Sequence, residues 1–270
     1  MPANGNSRTP RWWTHVKPIA LFVPWELVWL LYVGIILFVL PIVARSKRRG
    51  TVREEACVFC VTHVGGFDPL FLVRESRRWR MKALFMGDER YPFVGFLFQA
   101  VWRFRVSQDP ERKAGLNPQT LDAVARYLQR GGRVMIFPEG HRFWERKLYP
   151  GVAQIAHRSG VPIVPVGLEN AYIYRPGAEH DPLFRAVRRI VRETHRRGCV
   201  GVRFGEPIHP DPSLSEAEDV DRMMRAIERW FGEFYRSCYG MPGPTWCPQS
   251  FATIVDPPQA TQGSPQCSPK

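Results

Sequence analysis

A histidine and an aspartate, two residue types that cooperate in proton transfer, stand five positions apart at His63 and Asp68. On a continuous helix that spacing would put them on different faces. The residues around them predict something else. Val58 to Val61 is a β-favouring apolar run and reads as a buried strand. Gly65 and Gly66 break regular structure and let the chain turn sharply. Asp68-Pro69 reads as a helix start, with Asp at the N-cap and Pro at the first helical position. A strand, a Gly-rich turn and a helix start can bring the imidazole and the carboxylate together, as in an oriented general base. The spacing alone is common, and a surface histidine beside an aspartate cap explains most isolated cases, so the rest of the chain must decide.

The elements that would position this pair alternate between strand and helix. Lys82 to Met86, Arg103 to Val106, Arg133 to Phe137 and Ile163 to Val166 read as strands, the last almost wholly apolar, as suits a strand covered on both faces. Pro69 to Arg78, Pro92 to Ala100 and Gly151 to Ser159 read as helices, and Leu121, Val124, Ala125 and Leu128 fall at helical spacing before Gly131. Val200 to Phe204 is a late strand. Ser215-x-x-Glu218 is a capping box opening an amphipathic helix with Ile227, Trp230, Phe231 and Phe234 inward. Leu183 to Arg197 carries Leu183, Val187, Ile190 and Val191 on one side and a row of arginines on the other. That row is either a solvated face or one suited to anionic headgroups. The pattern predicts an α/β fold, a mixed or mostly parallel sheet flanked by helices.

Ahead of this domain, Leu27 to Ala44 is an uncharged apolar run of 18 residues, long enough for a membrane span. Tryptophans at 12, 13, 25 and 29 suit an interfacial belt, and Arg45, Lys47, Arg48 and Arg49 should stay cytoplasmic. Pro24 and Pro41 leave a short helical hairpin in one leaflet as the alternative to a span. From Met241 the chain is rich in Pro, Gln, Ser and Gly and reads as a disordered tail. The expected layout is therefore an N-terminal tail and membrane-anchoring helical segment over 1–50, one domain over 51–240, and a tail over 241–270. Across all 270 residues the net charge is +13 and the pI near 9.9, which calls for an acidic partner. No nucleic-acid-binding motif is present. Cys57-x-x-Cys60 has no second pair at zinc-like distance, and two thiols on a buried strand is the better reading.

Three blocks in order carry a resemblance: Val58 to Leu72 with His63 and Asp68, Phe137-Pro-Glu-Gly-His-Arg142, and Gly160-Val-Pro-Ile-Val-Pro-Val-Gly167. Together they resemble the glycerolipid acyltransferases, whose best-known members are the 1-acylglycerol-3-phosphate O-acyltransferases. The resemblance runs from about Cys57 to Ile208. It implies that His63 takes the proton from an acceptor hydroxyl, that Asp68 orients His63, and that the hydroxyl attacks a thioester directly. No G-x-S-x-G is present for a covalent serine route, and no H-E-x-x-H or P-loop. The resemblance further implies acceptor binding by Glu139, Gly140 and Arg142, with Arg142 the natural phosphate ligand. His141 and Phe143 replace the family's Thr and Ser. In a weaker block after the third strand, Gln108 stands where the family has Arg, and Arg105 or Arg103 is the nearest substitute. The implied activity is acyl transfer from acyl-CoA or acyl carrier protein, as co-substrate, to a lysophospholipid, with 1-acylglycerol-3-phosphate first. Neither metal nor cofactor is implied; membrane lipids are the expected partners, and the domain is expected on the cytoplasmic side of a membrane. The alternatives are a different lipid acceptor and a non-catalytic lipid-binding protein of the same fold.

Overall fold

The structure is a computed structural model. It describes Leu27, Leu31, Gly34, Ile35 and Phe38, and residues 45–52, 56–64, 68–77, 81–86, 104–106, 110–140, 145–171 and 183–248.

Seven strands form one sheet: β1 (Ser46–Arg49), β2 (Cys57–Val61), β3 (Lys82–Met86), β4 (Phe104–Val106), β5 (Arg133–Ile136), β6 (Ile163–Glu169) and β7 (Val200–Phe204). Their order is β1-β7-β6-β2-β5-β3-β4. Every neighbouring pair is parallel except β6 with β7. Among the described residues five helices accompany it: α1 (Asp68–Ser76), α2 (Pro110–Gln129), α3 (Gly151–Ser159), α4 (Leu183–Arg197) and α5 (Glu216–Tyr239). The α/β expectation therefore holds, with a mixed sheet.

β2 lies between β5 and β6 with Val58 beside both Val134 and Ile163, and all five of its residues are buried. A short Cys-Val-Phe-Cys-Val run is apolar on both faces, and only a central strand can use it that way. α3 lies on β2 and β6 and packs between α2 and α5, whereas α1 lies against β1 and β7. Leu128 of α2, Ile155 of α3 and Ile227 and Phe231 of α5 fill the core. α5 reaches the sheet closely because Gly167 leaves room for Phe234: a Cβ there would fall 2.3 Å from its ring. The capping box is present, with Ser215 Oγ accepting from the Glu218 N–H and the Ser215 N–H donating to the Glu218 carboxylate.

Three sequence expectations need correction. The helix before Gly131 starts earlier than its apolar spacing suggests, at Pro110, and runs through Pro118; the missing N–H of a proline hides such a continuation from sequence rules. The basic cluster after the apolar run, expected as the flank of an anchor within 1–50, is the edge strand β1, paired with β7 from Ser46↔Val200 to Arg49↔Arg203. That register sets two arginines side by side, and Glu169 resolves the repulsion. Its Oε2 takes Arg49 Nε at 2.9 Å and its Oε1 takes Arg203 Nε at 2.7 Å. Finally, the disordered tail does not begin at Met241. The Thr245 N–H donates to the Arg146 carbonyl at 2.8 Å, and Trp246 is 7% exposed with its indole N–H on Asp221 at 2.9 Å. Proline-rich composition hid a short strap laid on α5, where Gly243 meets Gly232.

The expected helix at 92–100, the tail beyond 248 and most of the apolar segment at 27–44 lie outside the described residues. Within that segment Leu27, Leu31 and Phe38 are exposed and Ile35 rests against the core. Among the described residues no helix is long and apolar enough to cross a membrane.

Candidate active site

His63 lies just past the carboxyl end of β2, and Glu139 just past the carboxyl end of its neighbour β5. In parallel sheets this edge is where ligands bind. The last ladder bond on the β6 side runs from the Thr62 N–H to the Val166 carbonyl at 2.9 Å. The next N–H, that of His63, donates to Glu139 Oε2 at 3.0 Å. A side chain thus continues the job of the sheet where the strand has ended.

Asp68 begins α1 and is 1% exposed. Its Oδ2 accepts the Val64 N–H at 2.7 Å and faces His63 Nδ1 at 3.1 Å. An ionised carboxylate only accepts, so Nδ1 carries the ring proton and Nε2 is left as the basic nitrogen. The Phe137 ring lies 4.5 Å from the imidazole, centre to centre, and limits its swing from the β5 side. The side chain of His63 is 23% exposed. The expected His63–Asp68 pair is therefore assembled, by the predicted strand and helix; the Gly65-Gly66 turn between them lies outside the described residues.

Glu139 is placed differently from a substrate ligand. It is 1% exposed. Besides the His63 N–H, it accepts the Tyr235 hydroxyl at 2.9 Å on both oxygens. Burial lifts its carboxyl to about 7, against the lowering pull of the His63 N–H, of Tyr235 and of the His63 and Arg146 charges. Gly140 closes the turn after β5 at φ 65°, a backbone region that a side chain strains, and its N–H returns to the Phe137 carbonyl at 3.0 Å. Arg142 lies outside the described residues. Arg105 is on β4, the far edge strand, in register with Phe85. Three strand spacings separate β4 from β2, roughly 14 Å. Cys57 and Cys60 sit buried on β2, and burial together with the Glu139 charge pushes the Cys60 thiol well up. Among the described residues no cluster of three or more His, Cys, Asp or Glu could hold a metal.

Sequence reading missed Tyr235 and Arg146. Tyr235 continues the Ile227, Phe231 stripe of α5 at the next i+4 position, so its burial was legible. Its partner, far back in the chain, was not. A buried tyrosine hydroxyl needs an acceptor, and that requirement was the available signal.

Residues 44–169 match the family model described as Acyltransferase. The match spans the His63 and Glu139 blocks and all strands from β1 to β6. A solved structure similar to the chain is the 1-acyl-sn-glycerophosphate (LPA) acyltransferase PlsC from Thermotoga maritima. That likeness is distant: 16% identity and a TM-score of 0.45, over 82% of this chain and 88% of that one. No curated protein matches the chain.

Proposed function

We propose that the protein moves a fatty acyl group from a thioester donor, acyl-CoA or acyl carrier protein, to the hydroxyl of a lysophospholipid. The first acceptor is 1-acylglycerol-3-phosphate, giving phosphatidic acid. The observation that carries this reading is the His63 imidazole, with Nδ1 held by buried Asp68 and Nε2 left basic at the carboxyl edge of the sheet. Nε2 takes the acceptor's hydroxyl proton as that oxygen attacks the thioester carbonyl. The new C–O bond forms, the C–S bond breaks, and the leaving thiolate receives the proton from the imidazolium. Asp68 stabilises that imidazolium while it exists. No metal or prosthetic group enters these steps.

A lipid acceptor suits a basic protein. On α4 the guanidinium-bearing residues Arg185, Arg188, Arg189, Arg192 and Arg196 are all exposed, and their spacing puts them along one face, fit to lie against anionic headgroups. Anchoring through residues 27–44, with the catalytic domain on the cytoplasmic side, completes the reading. Gln108, in place of the family's arginine, favours a second acceptor lacking phosphate as the alternative.

The test is labelled acyl-CoA with purified membranes and a panel of acceptors. Arg142→Ala should raise the KM of a phosphate-bearing acceptor more than about tenfold and leave the donor's KM nearly unchanged, the scale of a lost charge-assisted bond. Arg105→Ala should show the same selectivity if it replaces the missing arginine. Failure of lysophosphatidic acid where a phosphate-free acceptor works would move the assignment to that acceptor. Release of the full chain by salt alone would remove the anchor.

A further inference from the structure

We infer that Tyr235, on the last helix, is a positioning residue for the acyl transfer, acting through Glu139 on the main chain of His63, with Arg146 holding its ring. This rests on the general-base reading of His63. The route is continuous. The Tyr235 hydroxyl donates to both Glu139 oxygens at 2.9 Å, and Glu139 accepts the His63 N–H at 3.0 Å. The Arg146 guanidinium lies 4.9 Å from the centre of the Tyr235 ring, and its Nη2 reaches Met241 Sδ at 3.7 Å.

Arg146 is itself fixed by an uncommon backbone. Its φ is +54°, a conformation few non-glycine residues adopt. Its carbonyl is tied down by the Thr245 N–H at 2.8 Å and hydroxyl at 3.2 Å. The strap after α5 therefore holds Arg146, Arg146 covers Tyr235, and Tyr235 grips Glu139. A packing role would be met by any acceptor for the hydroxyl; here the acceptor is the carboxylate that holds the His63 main-chain N–H.

Among the described residues the charged and titratable groups facing Glu139 are His63 and Cys60 at β2, Tyr235 on α5 and Arg146 after β5. Burial and then the Glu139 charge push both the Cys60 thiol and the Tyr235 hydroxyl well up, so both keep their protons in any ordinary assay. Glu139 is then the group that Tyr235 can tune. Ionised, it is a strong acceptor for the His63 N–H; protonated, it is a weak one. Removing the hydroxyl takes a donor from the ionised form and raises the pH at which Glu139 loses its proton.

The experiment compares pH–rate profiles of Tyr235→Phe, Glu139→Gln, their double variant, Arg146→Met and His63→Ala in the membrane-bound full chain. Tyr235→Phe should move the acid limb of kcat to higher pH. Its kcat at pH 6.5 should fall about tenfold, the scale of one hydrogen bond, with KM values within about twofold. At pH 9 the loss should shrink to about twofold, since Glu139 is then ionised regardless. Arg146→Met should shift the limb in the same direction. In the Glu139→Gln background Tyr235→Phe should add little, because the two act in series. Equal loss at every pH, or effects that multiply in the double variant, would overturn the inference and leave Tyr235 a packing residue. If Tyr235→Phe does not fold, Arg146→Met reads the same limb, and an unmoved limb there overturns the inference. Activity surviving in His63→Ala would sink the general-base reading instead, whatever the Tyr235 profile.

Discussion

Among the described residues two His–Asp pairs have nearly the same geometry. His63 Nδ1 lies 3.1 Å from Asp68 Oδ2, and His157 Nδ1 lies 2.8 Å from Asp219 Oδ2. Both aspartates are buried, and the histidines are exposed to similar degrees, 23% and 20%. What differs is the company. Asp219 also receives Arg222 Nε at 3.0 Å and the Asp211 N–H at 3.1 Å. Burial pushes its carboxyl up, but the bonds from His157, Arg222 and Asp211 outweigh this and hold it below the ordinary value. That carboxylate is already compensated by a full positive charge. The two also sit at opposite edges. His157 is in the last turn of α3, leading to the amino end of β6, whereas His63 follows the carboxyl end of the parallel β2. Distance between an imidazole and a carboxylate does not set the proposed catalytic pair apart from the other; the edge of the sheet does.

The largest expected contrast is in turnover. His63→Ala should lower kcat by roughly 100- to 10,000-fold, the range for a lost positioned base. His157→Ala, assayed well below its melting temperature, should stay within about twofold of the parent. A comparable loss in His157→Ala would erase the distinction between the pairs.

Next in size is a stability effect at the first site, with the opposite pH sign from the second. Glu139 has its carboxyl raised from 4.5 to about 7, so its contribution to stability is full below pH 4.5 and is lost as pH rises through 7. Measured against Glu139→Gln, the parent should lose about 3 kcal/mol between pH 4.5 and 8. Asp219, held low, behaves the other way: measured against Asp219→Asn, the parent should lose stability only as pH falls through the acid range below the ordinary carboxylate value. Denaturant unfolding across pH reads both slopes, and parallel slopes would contradict the comparison.

The smallest effect belongs to His157 as a latch between α3 and α5. His157→Ala should cost about 2 kcal/mol, a drop in Tm of roughly 4–8 °C, as expected for a hydrogen bond to a charged group in a domain of this size. A calorimetric scan with no shift would make the contact incidental.

The sequence shows the central architecture because the inner strands carry their signature locally. Cys57 to Val61 and Ile163 to Val166 are apolar runs wherever they are placed, and α5 announces its start with a capping box. β1 carries no such signature. Ser-Lys-Arg-Arg is a strand only because β7 offers an edge, Phe204 lies under Arg48 and Glu169 waits for Arg49. The site divides in the same way. His63 and Asp68 are five residues apart, so local turn chemistry suffices to pair them. Glu139 meets Tyr235 across α3, β6, α4 and β7. No periodicity of either segment encodes that meeting, so the sequence leaves Glu139 looking like a ligand and Tyr235 like filler. The strap at Met241–Pro248 was hidden for a related reason: its order comes from docking on α5, not from its own composition.

The pairing of Ser46 with Val200 has a consequence for how the protein is made. Synthesis delivers β1 first among the strands and its partner last, with nearly the whole domain in between. A nascent chain can assemble the β6-β2-β5-β3-β4 portion while β1 waits without a neighbour. A ribosome stalled before residue 200 therefore leaves β6 with an uncovered edge, an invitation to pair with another chain. Only when β7 emerges, antiparallel to β6 and parallel to β1, does one strand cover that edge and collect the waiting segment.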